Sequence, residues 1–242
     1  MAESAEVKGL AIAREVDRRD QGWGDSATQL EMILKNRQGE EAVREIRLKN
    51  LETQGDGDKG LTIFDRPPDV KGTAFLSFSH ILEPDDQWLY MPALKRVKRI
   101  ASRNKSGPFM GSEFAYEDLA SFEVDKYSYA YLREVTFDGR SAFVVENYPR
   151  YEHSGYQRQI VWVDKERYIP LKIEFYDRKN ELLKTLKFSN YQQYLDKYWR
   201  ADKQFMQNHQ TGKTTQLVFN EWQFRVGLGT RDFDRNSLKR SR

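Results

Sequence analysis

Few residues of this chain could do chemistry. Its three histidines, His80, His153 and His209, each stand apart in sequence from any nucleophile motif. Neither a Gly-x-Ser-x-Gly elbow nor a His-Glu-x-x-His zinc helix occurs. With no cysteine, thiolate metal sites, a cysteine nucleophile and a disulfide framework are excluded. His80 with Glu83, Asp85 and Asp86 could coordinate a metal, but reads more simply as a polar strand end entering a turn. Glu113, Glu117 and Asp118 could hold a general acid or base; a solvated acidic cluster at a helix start is the plainer reading. Gly212-Lys213-Thr214-Thr215 imitates the end of a phosphate loop, yet Gln207 stands where its first glycine is needed. The chain is therefore expected to have no catalytic residues, no metal and no cofactor.

Binding chemistry has more material. Trp88 and Tyr90 alternate with Leu89 and Met91, so this strand is apolar on both faces and is either covered or lines a pocket. Lys95, Arg96, Lys98 and Arg99 follow, with positive charge on both faces. That pattern suits contact with an anionic head group or an acidic partner; equally, it suits an edge strand guarded against aggregation. Phe109, Met110, Phe114, Tyr116, Leu119 and Phe122 form either a plug for the open end of a curved sheet or a movable lining over an acyl pocket. The candidate cavity residues are thus Trp88, Tyr90, Phe109, Met110, Phe114, Tyr116 and Leu119. Basic residues also interleave with Tyr127, Tyr129 and Tyr131, but no nucleic-acid signature is present and no nucleic-acid partner is expected.

The elements that must position these residues are mostly strands. The 242 residues include 5 Trp, 13 Tyr and 14 Phe, although 32% are charged and the formal net charge is only +3. Mean hydropathy is −0.83. Apolar runs stop at four residues, too short for a membrane helix. A helix is expected over 7–19, where Leu10, Ile12, Ala13 and Val16 make an apolar stripe that ends at Gly22-Trp23-Gly24. Beyond it the period becomes two, with strands at roughly ten-residue spacing. Turns are legible at 54–58, at Pro67-Pro68-Asp69, at Asp138-Gly139 (type I′), at 164–166 and at 177–180. They separate strands over 132–137, 141–146, 159–163, 171–176 and 182–188. Residues 102–123 break the rhythm as a loop and short helix, with Ser112 as its cap. Residues 200–210 fit a strand or a short helix. One domain over 1–242 is expected, mainly β with short helices (α+β). Met1-Ala2-Glu3 opens without a signal segment, as in a mature exported protein or a cytoplasmic one. Lys239, Arg240 and Arg242 add a basic C-terminus.

The run Asp86-Gln87-Trp88-Leu89-Tyr90-Met91-Pro92-Ala93-Leu94-Lys95-Arg96-Val97-Lys98-Arg99-Ile100 resembles a hallmark of the outer-membrane lipoprotein-sorting (LolA-like) proteins. Phe109-Met110-Gly111-Ser112-Glu113-Phe114 with Tyr116-Glu117-Asp118-Leu119 is similar to that family's second signature, and residues 17–25 fit as well. The resemblance is to the branch associated with RND-type transporters. It implies a periplasmic protein whose signal peptide has been removed, and an incomplete, half-open antiparallel β-barrel with helices covering its concave face around an apolar cavity. It also implies a non-enzymatic carrier or binding protein for lipids or lipoprotein acyl chains in outer-membrane biogenesis. The alternative is an accessory module of an inner-membrane RND-type transporter. Transient membrane contact without a span is expected, with residues 106–122 gating the cavity.

Overall fold

A computed structural model of the chain describes residues 3–240; Met1, Ala2 and Arg242 of the terminal readings lie outside the described residues, as does the side chain of Arg240. Helix α1, Ala5–Arg19, is capped by Ser4, whose hydroxyl accepts the Val7 N–H at 3.3 Å. Glu6 sits in the first turn and Arg18 and Arg19 in the last, each matching the helix dipole. Gly22 and Gly24, at φ 96° and 80°, turn the chain into the sheet.

Strands β1 Asp25–Lys35, β2 Glu41–Leu51, β3 Lys59–Arg66, β4 Ala74–Phe78, β5 Asp86–Met91 and β6 Arg96–Arg99 form one antiparallel meander. After the insertion come β7 Tyr127–Phe137, β8 Arg140–Pro149, β9 Tyr156–Asp164, β10 Pro170–Asp177, β11 Leu182–Tyr194, β12 Tyr198–Asn208 and β13 Thr214–Phe219. The short β14, Gln223–Phe224, pairs with β1. Pairing of β1 with β13, with Leu30 opposite Phe219, joins both meanders into one sheet ordered β6-β5-β4-β3-β2-β1-β13-β12-β11-β10-β9-β8-β7. The edges β6 and β7 do not pair, so the barrel stays open.

Alternation gives the sheet two faces. Ile46, Phe64, Phe75 and Leu89 from one wing share a core with Phe175, Leu186, Met206 and Leu217 from the other. Strands far apart in the order meet this way only if the sheet curls, so this face is concave. On the convex face Leu61, Ile63 and Leu76 are covered by Phe233 and Leu238 of the C-terminal segment.

Most expected elements form. Asp138 and Gly139 take φ 47° and 76°, as a type I′ hairpin requires, and the 200–210 ambiguity resolves as strand β12. Two expectations need correction. Ser112 caps no helix: its hydroxyl donates to the Phe109 carbonyl at 2.7 Å inside a turn. Met110 and Gly111, at φ 50° and 76°, form the left-handed part of that turn, and Ala115 bridges back to Pro108, so no helix follows Ser112 directly. The helical turn is a 3₁₀ turn over Tyr116–Leu119. The concave face has one α-helix, α1, and the rest of its cover comes from the insertion.

Candidate binding cavity

Helix α1 lies on β7 through Gly9, where an added Cβ would stand 2.9 Å from the Tyr131 nitrogen and 3.0 Å from the Tyr129 Cβ. This close approach, which only glycine permits, packs Ile12 and Ala13 with Phe143, Val145 and Val163 of β8 and β9. Beside this contact the helix and sheet separate around a cavity of about 990 Å³. Its apolar wall is built from Val16 of α1 and Val145, Val161, Val163, Ile173 and Phe188 of β8–β11. Phe122 closes it from the insertion, and residues 52–58 between β2 and β3 border the opposite side. The volume lies at the upper end of the range of small-molecule sites, about 300–1,000 Å³.

The polar part of the lining is one-signed. Asp17, Glu52, Asp58, Glu123 and Asp125 face it together with Asp20 and Asp56, while no Lys, Arg or His does so among the described residues. Asp20 is matched by Arg200 at 2.6 Å and Asp56 by His80 at 2.7 Å. Glu52 accepts the Gly22 and Gly24 N–H groups at 2.6 and 2.7 Å, fixing the α1–β1 turn against the 52–58 loop. Asp58 accepts the Thr53 N–H at 3.0 Å, and Ser121 donates its hydroxyl to Glu123 at 2.6 Å.

Burial pushes the Asp58 carboxyl up to about 7; the Thr53 N–H opposes that shift, and Glu123, Glu52 and Asp20 reinforce it. Burial likewise raises Asp17, Asp20 and Glu123. The hydrogen bond from His80 lowers Asp56. Two polar atoms of this lining, Asn147 Oδ1 and Thr53 Oγ1, are buried without a partner.

The residues singled out from sequence lie elsewhere. Trp88 and Tyr90 pack on the convex face with Leu61, Leu76 and Phe233, whereas their neighbours Leu89 and Met91 face the concave core. Phe109 and Phe114 are buried in that core with Met110, Tyr116 and Leu119 around them. Phe109 packs at a tilt on Phe64 and Phe75 and edge-on to Tyr116, at ring separations of 5.8, 5.1 and 5.7 Å. They fill the concave side beneath β2–β5. None of these residues lines the large cavity, and Leu119 borders a smaller one of about 220 Å³. Lys95, Arg96, Lys98 and Arg99 are exposed on and beside edge strand β6, with Arg99 paired to Asp86.

Glu113, Glu117 and Asp118 are not a solvated cluster. Glu117 accepts from Ser154 Oγ at 2.9 Å and the Gly155 N–H at 2.8 Å, and Asp118 accepts from Tyr156 Oη at 2.7 Å and Lys184 Nζ at 2.6 Å. Glu113 accepts from Asn208 Nδ2 at 2.7 Å. Each carboxylate ties the insertion to the second wing, which is why all three residues are half-buried. His80, for its part, bonds Asp56 across the 52–58 loop, a contact invisible in sequence. The cavity wall itself had a signal: the α1 stripe and the alternation of Val145, Val161 and Val163.

A family model described as "uncharacterized protein" matches residues 56–240. No match is found among curated proteins. Among solved structures, a domain described as an outer membrane lipoprotein-sorting protein, from Vibrio parahaemolyticus, is 62% identical over 96% of this chain and 98% of its own, with a TM-score of 0.94. A DUF1329 family protein from Desulfovibrio piger is 28% identical over 98% and 100% of the two chains, with a TM-score of 0.92. A LolA superfamily protein from Nitrosomonas europaea, 20% identical over 97% and 99%, shares the fold with a TM-score of 0.75. With a half-open sheet of the LolA fold, one helix across its concave face and the 62% identical relative, the chain belongs to the family of outer-membrane lipoprotein-sorting proteins.

Proposed function

We propose that this chain is a periplasmic, non-enzymatic carrier or binding protein for acylated lipoproteins or lipids, with an acyl chain held in the concave cavity. The observation that carries the reading is a space of about 990 Å³ walled by valine, isoleucine and phenylalanine side chains of α1 and β8–β11. Moving an acyl chain from water into such a wall gains about 0.8 kcal/mol per methylene, so a chain of about twelve methylenes supplies about 10 kcal/mol against the cost of association. The description of the Vibrio parahaemolyticus relative supports the cargo class and the periplasmic setting. The exposed basic edge around β6 supports transient contact with an anionic membrane surface, or with an acidic partner such as an RND-type transporter, during loading.

Mass spectrometry of organic extracts from the purified protein tests the reading. Acyl species in near-stoichiometric amount are expected, and refolded, delipidated protein should take up a fluorescent fatty-acid probe. Clean extracts together with no probe uptake would remove the carrier reading.

A further inference from the structure

We infer that the cavity selects an acyl-bearing amphiphile whose head group carries a positively charged amine, and discriminates against phosphate and carboxylate heads. The inference rests on the carrier reading and deepens it by naming the head-group class.

Three observations converge. First, Asp17, Glu52, Asp58, Glu123 and Asp125 line the cavity, and among the described residues none has a basic side chain bonded to it. The cations nearby already have acceptors: Arg200 and His80 hold two further carboxylates of the lining, Asp20 and Asp56, while Lys126 holds Asp85 and Lys197 the Gln21 carbonyl. A phosphate placed here would meet like charge with no counter-ion, which is repulsive and costly in a partly desolvated site.

Second, the wall holds an unanswered acceptor. Asn147 is 5% exposed and its Oδ1 has no hydrogen-bond partner. A buried unsatisfied carbonyl calls for a donor, and an ammonium offers only donors. Thr53 Oγ1 is a second unpartnered oxygen in the same lining.

Third, these groups are near one another. Tyr129 lies across from Asn147 in the β7–β8 pair, and its hydroxyl donates to the Val124 carbonyl at 2.8 Å, which brings the 123–125 segment to Asn147. Asp17 feels the charges of Asp125 and Glu52, and Asp58 those of Glu123 and Glu52, so the carboxylates of the lining act on one another as one cluster. The valine and isoleucine wall then receives the tail.

Calorimetric titration of the delipidated protein with three amphiphiles of equal chain, dodecylammonium, dodecyl maltoside and dodecyl phosphate, tests this below their micelle concentrations. The ammonium should bind about tenfold more tightly than the phosphate at low salt, and the gap should shrink as salt rises. The double variant Asp17→Asn/Asp125→Asn should narrow the gap, with circular dichroism showing that the fold is kept. Equal affinities, or a preference for phosphate, would overturn the head-group inference while leaving the carrier reading intact. A gap untouched by the double variant would overturn it too. Failure of all three probes to bind would overturn both.

Discussion

Lys184 donates to Asp118 Oδ2 at 2.6 Å with the two side chains only 4% and 6% exposed, so a buried ion pair bolts the central insertion to β11. The same carboxylate also receives Tyr156 Oη and the Ala115 N–H. Replacing one partner strands the other in a dry site, which costs far more than the pair contributes. Lys184→Met should therefore lower unfolding free energy by about 3 kcal/mol in urea titrations. Lys184→Met/Asp118→Asn should recover part of that loss, because the unpaired charge is gone.

The seat of α1 depends on one missing methyl group. Gly9→Ala improves helix propensity by about 1 kcal/mol, but its Cβ would press on the β7 backbone at 2.9 Å. The clash involves main chain and cannot be relieved by a rotamer change. A lower melting temperature is expected, together with weaker uptake of a fatty-acid probe as the cavity wall shifts. A variant that melts higher than the parent would show that the helix has room to move.

The wall itself can be filled. Val161 and Ile173 both line the cavity from neighbouring strands. Val161→Trp adds bulk into existing space, so the fold should survive while acyl uptake falls at least several-fold. Circular dichroism and probe titration on the same sample check both halves of this expectation.

Asp58 gives the protein a pH signature. Its carboxyl rises to about 7 in the fold, well above its ordinary value, so between those limits the native state holds a proton that the unfolded chain has released. Stability from this group is therefore greatest at acid pH and declines as pH rises toward about 7. Asp17, Asp20 and Glu123, raised by burial, act in the same direction. Asp58→Asn keeps an oxygen for the Thr53 N–H and removes the charge facing Glu123 and Glu52. Thermal melts should show stabilisation at about pH 8, little change at about pH 4, and a flatter profile between.

The basic edge makes a separate forecast. Lys95, Arg96 and Lys98 are exposed, and among the described residues no acidic side chain pairs with them. Reversing all three to glutamate should weaken sedimentation with phosphatidylglycerol vesicles and remove its salt dependence. Head-group selection inside the cavity should be unaffected, since none of the three lines it. Unchanged vesicle binding would leave this strand as a guarded sheet edge only.

Local rules carried much of this structure. Apolar alternation, Asp138-Gly139 and the other turn residues determined the strands and their order along the chain, because hairpin chemistry is written within a few neighbouring residues. The stripe on residues 7–19 likewise determined a helix with one buried face. The sequence also showed that the strand at Trp88 is apolar on both sides. Which side meets which neighbour was decided by tertiary structure: pairing of β1 with β13 and closure by Phe233 put Trp88 and Tyr90 outside, and Phe109 and Phe114 in a filled core. The cavity's place was decided the same way, by how Gly9 seats α1 on a distant strand. Its carboxylates come from α1, the 52–58 loop and the 123–125 segment, and only folding brings them together. The raised pKa values of Asp17, Asp20, Asp58 and Glu123 and the unpaired Asn147 oxygen follow from that burial, a property of shape that no residue carries alone.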